Sequence, residues 1–253
     1  MSVLSLNPSF IRLPLMALGL LFAMWSAMTG IAAIDYFRSQ GYLEAWDYQL
    51  SQKSDYQIPA NEYQDALTAA QHALALVPYN SDYQMMVANM LTWQLSNTGV
   101  LPPAQRETLT NDVLTIYRKA ITQRPSWPYS YSQFAITKLK LGQIDQEMMA
   151  ALQKANQLGP REIAIIHLTI KLGMTWWPQL DQATQLVVAG AIDRSLSWNL
   201  SEQLNARERL YALSLVGLYQ RQADICPLLT TRSEYVTNLC RAIKKPNSTK
   251  AHK

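Results

Sequence analysis

Apolar side chains recur along this chain at helical spacing, most regularly between Val113 and Pro160. Val113, Leu114, Tyr117, Ala120 and Ile121 form one stripe at i, i+1, i+4, i+7 and i+8, stopped by Gln123–Pro125. Tyr131, Phe134, Ala135 and Leu139 form a second, ended by Leu141-Gly142, and Ile144, Met148, Leu152 and Ala155 a third, ended by Leu158-Gly159-Pro160. Residues three and four apart share a helix face, and each stop has a mechanism. Glycine takes the left-handed capping conformation, and proline cannot continue the hydrogen-bond ladder. The same periodicity predicts helices over Glu62–Leu76, Asp82–Leu95, Ile163–Gly173, Leu180–Ala191 and Leu204–Leu218, the last apolar enough to be expected buried. The stretch from Asn97-Thr98-Gly99 to Pro102-Pro103 reads as a loop. Sustained alternation is absent from the sequence, so the expected class is all-α.

The first third of the chain patterns differently. Leu13 to Ile34 is a run of 22 uncharged, mostly apolar residues between Arg12 and Asp35. That matches the ~20 residues needed to cross a bilayer core. A cleaved signal peptide is the rival reading, with Ile31-Ala32-Ala33 as its cleavage site, but its apolar region is usually only ~7–15 residues. Arg12 before the run, and Arg38 and Lys53 after it, are too few to set orientation. Gly19, Ala23 and Ala27 recur every four residues, as do Ser26 and Gly30, which fits helix pairing in the membrane and ordinary lipid-facing composition equally. From Asp35 to Pro59 the chain is polar, aromatic and weakly patterned. The expected organisation is a cytoplasmic N-terminus (1–12), a transmembrane anchor (13–35), a stalk (36–59), a helical domain (60–244) and a basic tail (245–253).

The helices carry a recurring mark. "Ala, four residues, Pro" occurs at Ala73…Pro78, Ala120…Pro125 and Ala155…Pro160, with the last two prolines 35 residues apart and the first two 47. Ala66, Ala70, Ala73 and Ala120 are small residues of the kind that lets two helices approach closely. Together these resemble tetratricopeptide repeats, whose period is about 34 residues, in a degenerate form. Of the usual first-helix signature only Tyr131, Phe134, Ala135 and Gly142 are present. The resemblance implies a right-handed array of antiparallel helical hairpins following the N-terminal transmembrane helix.

Composition adds three constraints. About 218 residues follow the apolar run, enough for a continuous core, and only nine glycines occur among many Ala, Leu and Gln. The net charge of +4 is concentrated at one end. Arg241, Lys244, Lys245, Lys250 and Lys253 supply +5, leaving the rest at −1. Such a tail suits anionic lipid or nucleic acid, but a short solvated end is the simpler reading, and no nucleic-acid partner is expected. The third constraint is the pair Cys226 and Cys240. On one helix they would lie ~21 Å apart, too far to bond. Pro227 breaks such a helix, and Thr231-Arg232-Ser233-Glu234 has the form of a capping box that starts another. The sulfurs can then meet, and a disulfide closing this loop contributes roughly 3 kcal/mol. Such a bond belongs to an oxidising compartment, which would put the body outside and the N-terminus inside. Two buried free thiols are the alternative.

Chemistry is sparse. His72 and His252 are isolated, and His167 falls on the Ile163–Ile170 stripe as a core or rim residue. Nucleotide, haem and zinc motifs are missing, so no catalytic residue, metal or cofactor is expected. Asp181, Asp193, Glu202 and Glu208 could pair for glycosidic chemistry. Beside Arg194, Arg207 and Arg209 they read better as solvated charge. The aromatic residues Trp127, Tyr129 and Tyr131, and Trp176 and Trp177, sit at helix junctions beside prolines. They are candidates for binding a partner or a sugar, or simply for filling turns.

The string Arg124-Pro125-Ser126-Trp127-Pro128-Tyr129, then Gly142…Asp145, Leu158-Gly159-Pro160-Arg161-Glu162 and Leu172-Gly173…Trp176, is similar to VpsP-type polysaccharide biosynthesis proteins. The likeness covers roughly 113–177 and brings no catalytic residue with it. It implies a single-pass inner-membrane protein whose periplasmic repeat domain is a scaffold for exopolysaccharide biosynthesis or export. Its partners would be membrane-bound assembly or export proteins. Other readings are a glycan-modifying enzyme of the same pathway, and an envelope chaperone unrelated to polysaccharide.

Overall fold

A computed structural model describes residues 8–53, 55–97, 101–197, 202–230 and 234–241. Among them are eleven helices and no strand, so the all-α expectation holds. The chain divides into two compact units, 1–123 and 124–253.

The first unit holds α1 (Pro8–Gln52), α2 (Ala60–Leu76), α3 (Ser81–Asn97) and α4 (Pro103–Gln123). α1 is a single helix of 45 residues, long and apolar enough in its first half to cross a membrane. The side chains from Pro14 to Met28 are all exposed, and Ile31 is the last apolar one before the packing begins. Ala32 is fully buried, against Ala73 and Tyr83.

The segment expected as a stalk is built differently. Residues 36–52 continue α1 and pack on α2. Ala32, Tyr36, Ser39, Leu43 and Trp46, spaced four, three, four and three apart, make the contact face. Leucine-poor and interrupted by serine, this stripe is hard to recognise, yet its geometry is that of a helix seam. Arg38 pairs with Asp65 at 3.2 Å, the Ser39 hydroxyl donates to the Ala66 carbonyl at 2.8 Å, and Trp46 Nε1 donates to Glu62 at 3.2 Å. Numbers rise on α1 as they fall on α2, so the two run antiparallel. Ala66, Ala70 and Ala73 are buried, and the small residues thus admit α1 closely. The Tyr63 hydroxyl reaches the Met90 carbonyl at 3.0 Å, which sets α3 antiparallel to α2. Ring pairs Tyr36–Tyr83 (5.2 Å) and Trp46–Trp93 (5.7 Å) set it parallel to α1.

The second unit holds α5 (Pro128–Lys140), α6 (Gln146–Leu158), α7 (Ile163–Trp176), α8 (Gln182–Ser197), α9 (Glu202–Leu218), α10 (Gln222–Ile225) and α11 (Glu234–Arg241). α5 begins with Pro128 in its first turn and ends in a Schellman turn. Gly142 takes φ +74°, Gln143 N donates to Lys138 O, and Gly142 N donates to Leu139 O. Asp145 then caps α6 by accepting from Met148 N at 2.9 Å. α7 and α8 meet at Gly173, where an added Cβ would lie 2.4 Å from Val188. Gln153–Thr184 and Asn156–Arg194 bonds link α6 to α8, and Thr175–Tyr219 links α7 to α9.

One expectation needs correction here, and another lies outside what the structure describes. α9 is not wholly buried: Ala212 and Val216 face inward while Leu210 and Leu218 are exposed, because only one side of the helix has neighbours α7 and α8. The capping box at 231–234 falls mostly outside the described residues, as does the tail beyond Arg241.

Candidate interaction sites

At the start of α5, two planar groups lie against the Trp127 ring. The Arg124 guanidinium lies 3.8 Å from the centre of the Trp127 ring, and Tyr129 is tilted against the same ring at 5.2 Å. Cation–π stacking thus adds to the packing of a half-buried indole. The Tyr129 hydroxyl donates to Glu162 at 2.7 Å, and that bond, with some burial, pushes the phenol up. The Tyr131 hydroxyl donates to the Pro125 carbonyl at 3.0 Å. Gly159 eases the approach of Glu162: a Cβ there would crowd Pro128 at 3.0 Å where the turn before α7 meets α5. The strings at 124–129 and 158–162, 29 residues apart at their nearest ends in the sequence, thus form one structural unit.

Trp176 and Trp177 do not join that unit. Glu162 is at the beginning of α7 and Trp176 at its end, and 14 residues of helix hold them about 20 Å apart. Trp177 is 6% exposed and starts a 3-10 turn, with its carbonyl accepting from Gln185 at 3.1 Å. It is a packing residue at the α7–α8 junction. Trp176 stays half-buried.

The carboxylates expected on a solvated face are another correction. Asp193 and Glu208 are buried. Asp193 accepts from both the backbone N–H and the hydroxyl of Thr230, each at 2.7 Å, and so ties the segment after α10 to α8. Glu208 bonds His167 Nε2, while the imidazole stacks on Tyr211 at 3.9 Å. Burial, with the Glu208 charge adding to it, pushes the Tyr211 phenol up. Of the other two, Asp181 caps α8 by accepting from Thr184 N at 2.7 Å, and Glu202 begins α9. The Thr184 bonds hold the Asp181 carboxyl below its ordinary range. Arg194 is drawn inward to Asn156 at 2.8 Å, and Arg209 lies over Tyr235 at 4.7 Å. Charged residues on a helix surface look solvated until the neighbouring helix is placed, which the sequence pattern alone does not do.

The Cys226 and Cys240 sulfurs sit at bonding distance, with Cα atoms 5.8 Å apart. One residue escaped sequence reading altogether. Lys138 lies on the inner face of α5, its side chain 3% exposed, between Asp145 (2.8 Å) and Glu147 (2.6 Å). The later Asp-x-Glu at the start of α6 was its only signal. Compared with known proteins, the chain matches no family model and no curated relative.

Proposed function

We propose that this is a single-pass inner-membrane protein whose periplasmic helical body serves as a scaffold in exopolysaccharide biosynthesis or export. The observation that carries the membrane part is the bare stretch Pro14–Ile31, which passes without a break into packed helix. Its 18 residues measure about 27 Å, near the ~30 Å of a hydrocarbon core. The Cys226–Cys240 pair favours an oxidising compartment, hence a body outside and an N-terminus inside. The polysaccharide role draws on the 124–129 and 158–162 strings and their likeness to VpsP-type proteins. The reading of the body as a right-handed solenoid draws on register. In the first unit α1 and α2 run antiparallel and α1 and α3 parallel, and in the second α6/α8 and α7/α9 run parallel. Stacked helical repeats offer an extended surface for partner segments. The half-buried Arg124–Trp127–Tyr129 cluster is the contact assigned to a membrane-bound assembly or export protein.

The test combines topology and phenotype. A reporter active only in the periplasm, fused after Arg241, is expected to be active, and deletion of the gene to reduce surface polysaccharide. A photo-crosslinker at Trp127 is expected to capture a polysaccharide polymerase or export component. Unchanged polysaccharide in the deletion strain would sink the proposal. The enzyme reading has one observation in its favour, the His167–Glu208 pair, since a buried carboxylate can orient an imidazole base. Glycan cleavage by purified protein that disappears in His167→Gln would establish it instead.

A further inference from the structure

The turn between α2 and α3 is placed where α1 goes bare. Ala73 and Tyr83 pack on Ala32, Leu76 and Val77 lie against the same cluster, and His72 Nδ1 meets Asp35 at 2.6 Å. Since α2 runs antiparallel to α1 and α3 parallel to it, residues 77–80 reach the level where the exposed apolar stretch ends. The turn is rigid. Asn80 N donates to Val77 O at 3.1 Å, the Asn80 side chain accepts from Asp82 N at 2.9 Å, and Gln84 donates to the Pro78 carbonyl at 2.8 Å. What it presents is Tyr79, 83% exposed, within an uncharged run from Ala73 to Ser81. On α1 the exposed apolar side chains extend past the bare stretch to Ile34 and Phe37. Of the charges at this level, Asp35 and Arg38 are tied to His72 and Asp65, and Asp82 lies half-buried in the first turn of α3 near Tyr36.

From these positions we infer that the 76–79 turn, with Ile34 and Phe37, is seated in the lipid headgroup and upper acyl layer. It would form an apolar collar that sets the height and rotation of the first unit on the membrane. The inference rests on the reading of 14–31 as a membrane span. The dimensions agree: Ile31 to Phe37 is about 9 Å of helix, and each interfacial layer of a bilayer is roughly 5–8 Å thick. An exposed tyrosine is suited to this depth, with its ring in the apolar layer and its hydroxyl in the wet one. Interfacial anchors of this kind fix the tilt and rotation of a spanning helix.

The experiment uses the full chain in phosphatidylcholine–phosphatidylglycerol vesicles, with its two cysteines left paired. Single cysteines replace Leu20, Tyr48 or Tyr79 (Leu20→Cys, Tyr48→Cys, Tyr79→Cys) and carry a nitroxide. Accessibility to oxygen reports lipid, and accessibility to a water-soluble nickel complex reports water. Leu20 is the marker of the span. Tyr48, exposed and about 21 Å beyond Ile34 along α1, is the marker of water. The expected result is a Tyr79 label several-fold less accessible to nickel than the Tyr48 label, and intermediate in depth between the two markers. Leu20 in lipid with Tyr79 as wet as Tyr48 would overturn the collar and leave the span standing. A Tyr79 label closed to both reagents would overturn it in favour of a protein contact. A wet Leu20 label would remove the span, and the collar with it.

Discussion

Lys138 is a cation almost removed from water, and it survives there because two carboxylates from the next helix come to it. Both acids keep some solvent, Asp145 at 49% and Glu147 at 42% exposure, so they rehydrate if the ammonium is lost. Lys138→Met keeps the apolar stem and should therefore cost only about 1–2 kcal/mol in urea unfolding, below the usual cost of breaking a fully buried pair. Burial pushes the Asp145 carboxyl up, but its bonds to Lys138 and the Met148 N–H outweigh that and hold it below its ordinary value. A lowered folded pKa means stability present above the unfolded value and lost as pH falls through the folded one. The contribution should fade as pH falls through and below the ordinary aspartate range. Asp145→Asn, which preserves the cap, is expected to flatten that part of the stability–pH curve. The two tryptophan junctions should separate as well. Trp177→Ala should lose about 3–5 kcal/mol, as a buried ring does, while Trp127→Ala changes the melting temperature little. Equal destabilisation by both would contradict the burial difference. The sequence placed both rings at junctions and could not rank them, because which ring is covered depends on helices elsewhere in the chain.

At the scale of the element, termini and crossings carry the information. α9 ends as α5 does: Arg221 N donates to Val216 O, and Gln220 N donates to Gly217 O. At α9, however, the left-handed position is held by Gln220, φ 52°, instead of glycine. Gln220→Gly should raise stability by up to about 1 kcal/mol by relieving that conformation. An unchanged or lower thermal midpoint would show the turn is unstrained. Gly173 has a different reason to be glycine. Its helix would gain about 1 kcal/mol from alanine in isolation. The clash with Val188 should reverse the sign, with Gly173→Ala destabilising by about 1–3 kcal/mol. The double variant Gly173→Ala/Val188→Ala should recover part of that loss, and a simple sum of the two single effects would mean the residues do not interact.

Across the whole molecule, each unit has its own buried residues, and α11 has none. The Cys226–Cys240 link and the stacking of Tyr235 under Arg209 are among the contacts that hold this last helix. Replacing both cysteines by serine should abolish hydrogen-exchange protection over 234–241 and leave the amides of α7 unaffected. Loss of protection in α7 would mean that the link supports the core. A fragment covering 124–253 should unfold cooperatively by itself, as expected of a unit with its own core.

Much of this protein was decided locally. A 3.6-residue apolar period, Gly and Pro stops and Ala-rich close-packing faces are properties of a few consecutive residues, so the all-helical class and the apolar span could be read directly. So could the meeting of Cys226 and Cys240, which needed only a helix break between them. Tertiary structure decided everything that depends on a neighbour. It made the expected stalk a packed half of α1, since the Ala32–Trp46 seam has meaning only once α2 lies against it. Asp193 and Glu208 went from surface charge to buried partners, Lys138 acquired its two carboxylates, and the 124–129 string was joined to 158–162. The physical reason is the same in each case: periodicity says which residues share a face, while burial depends on what another part of the chain brings to that face.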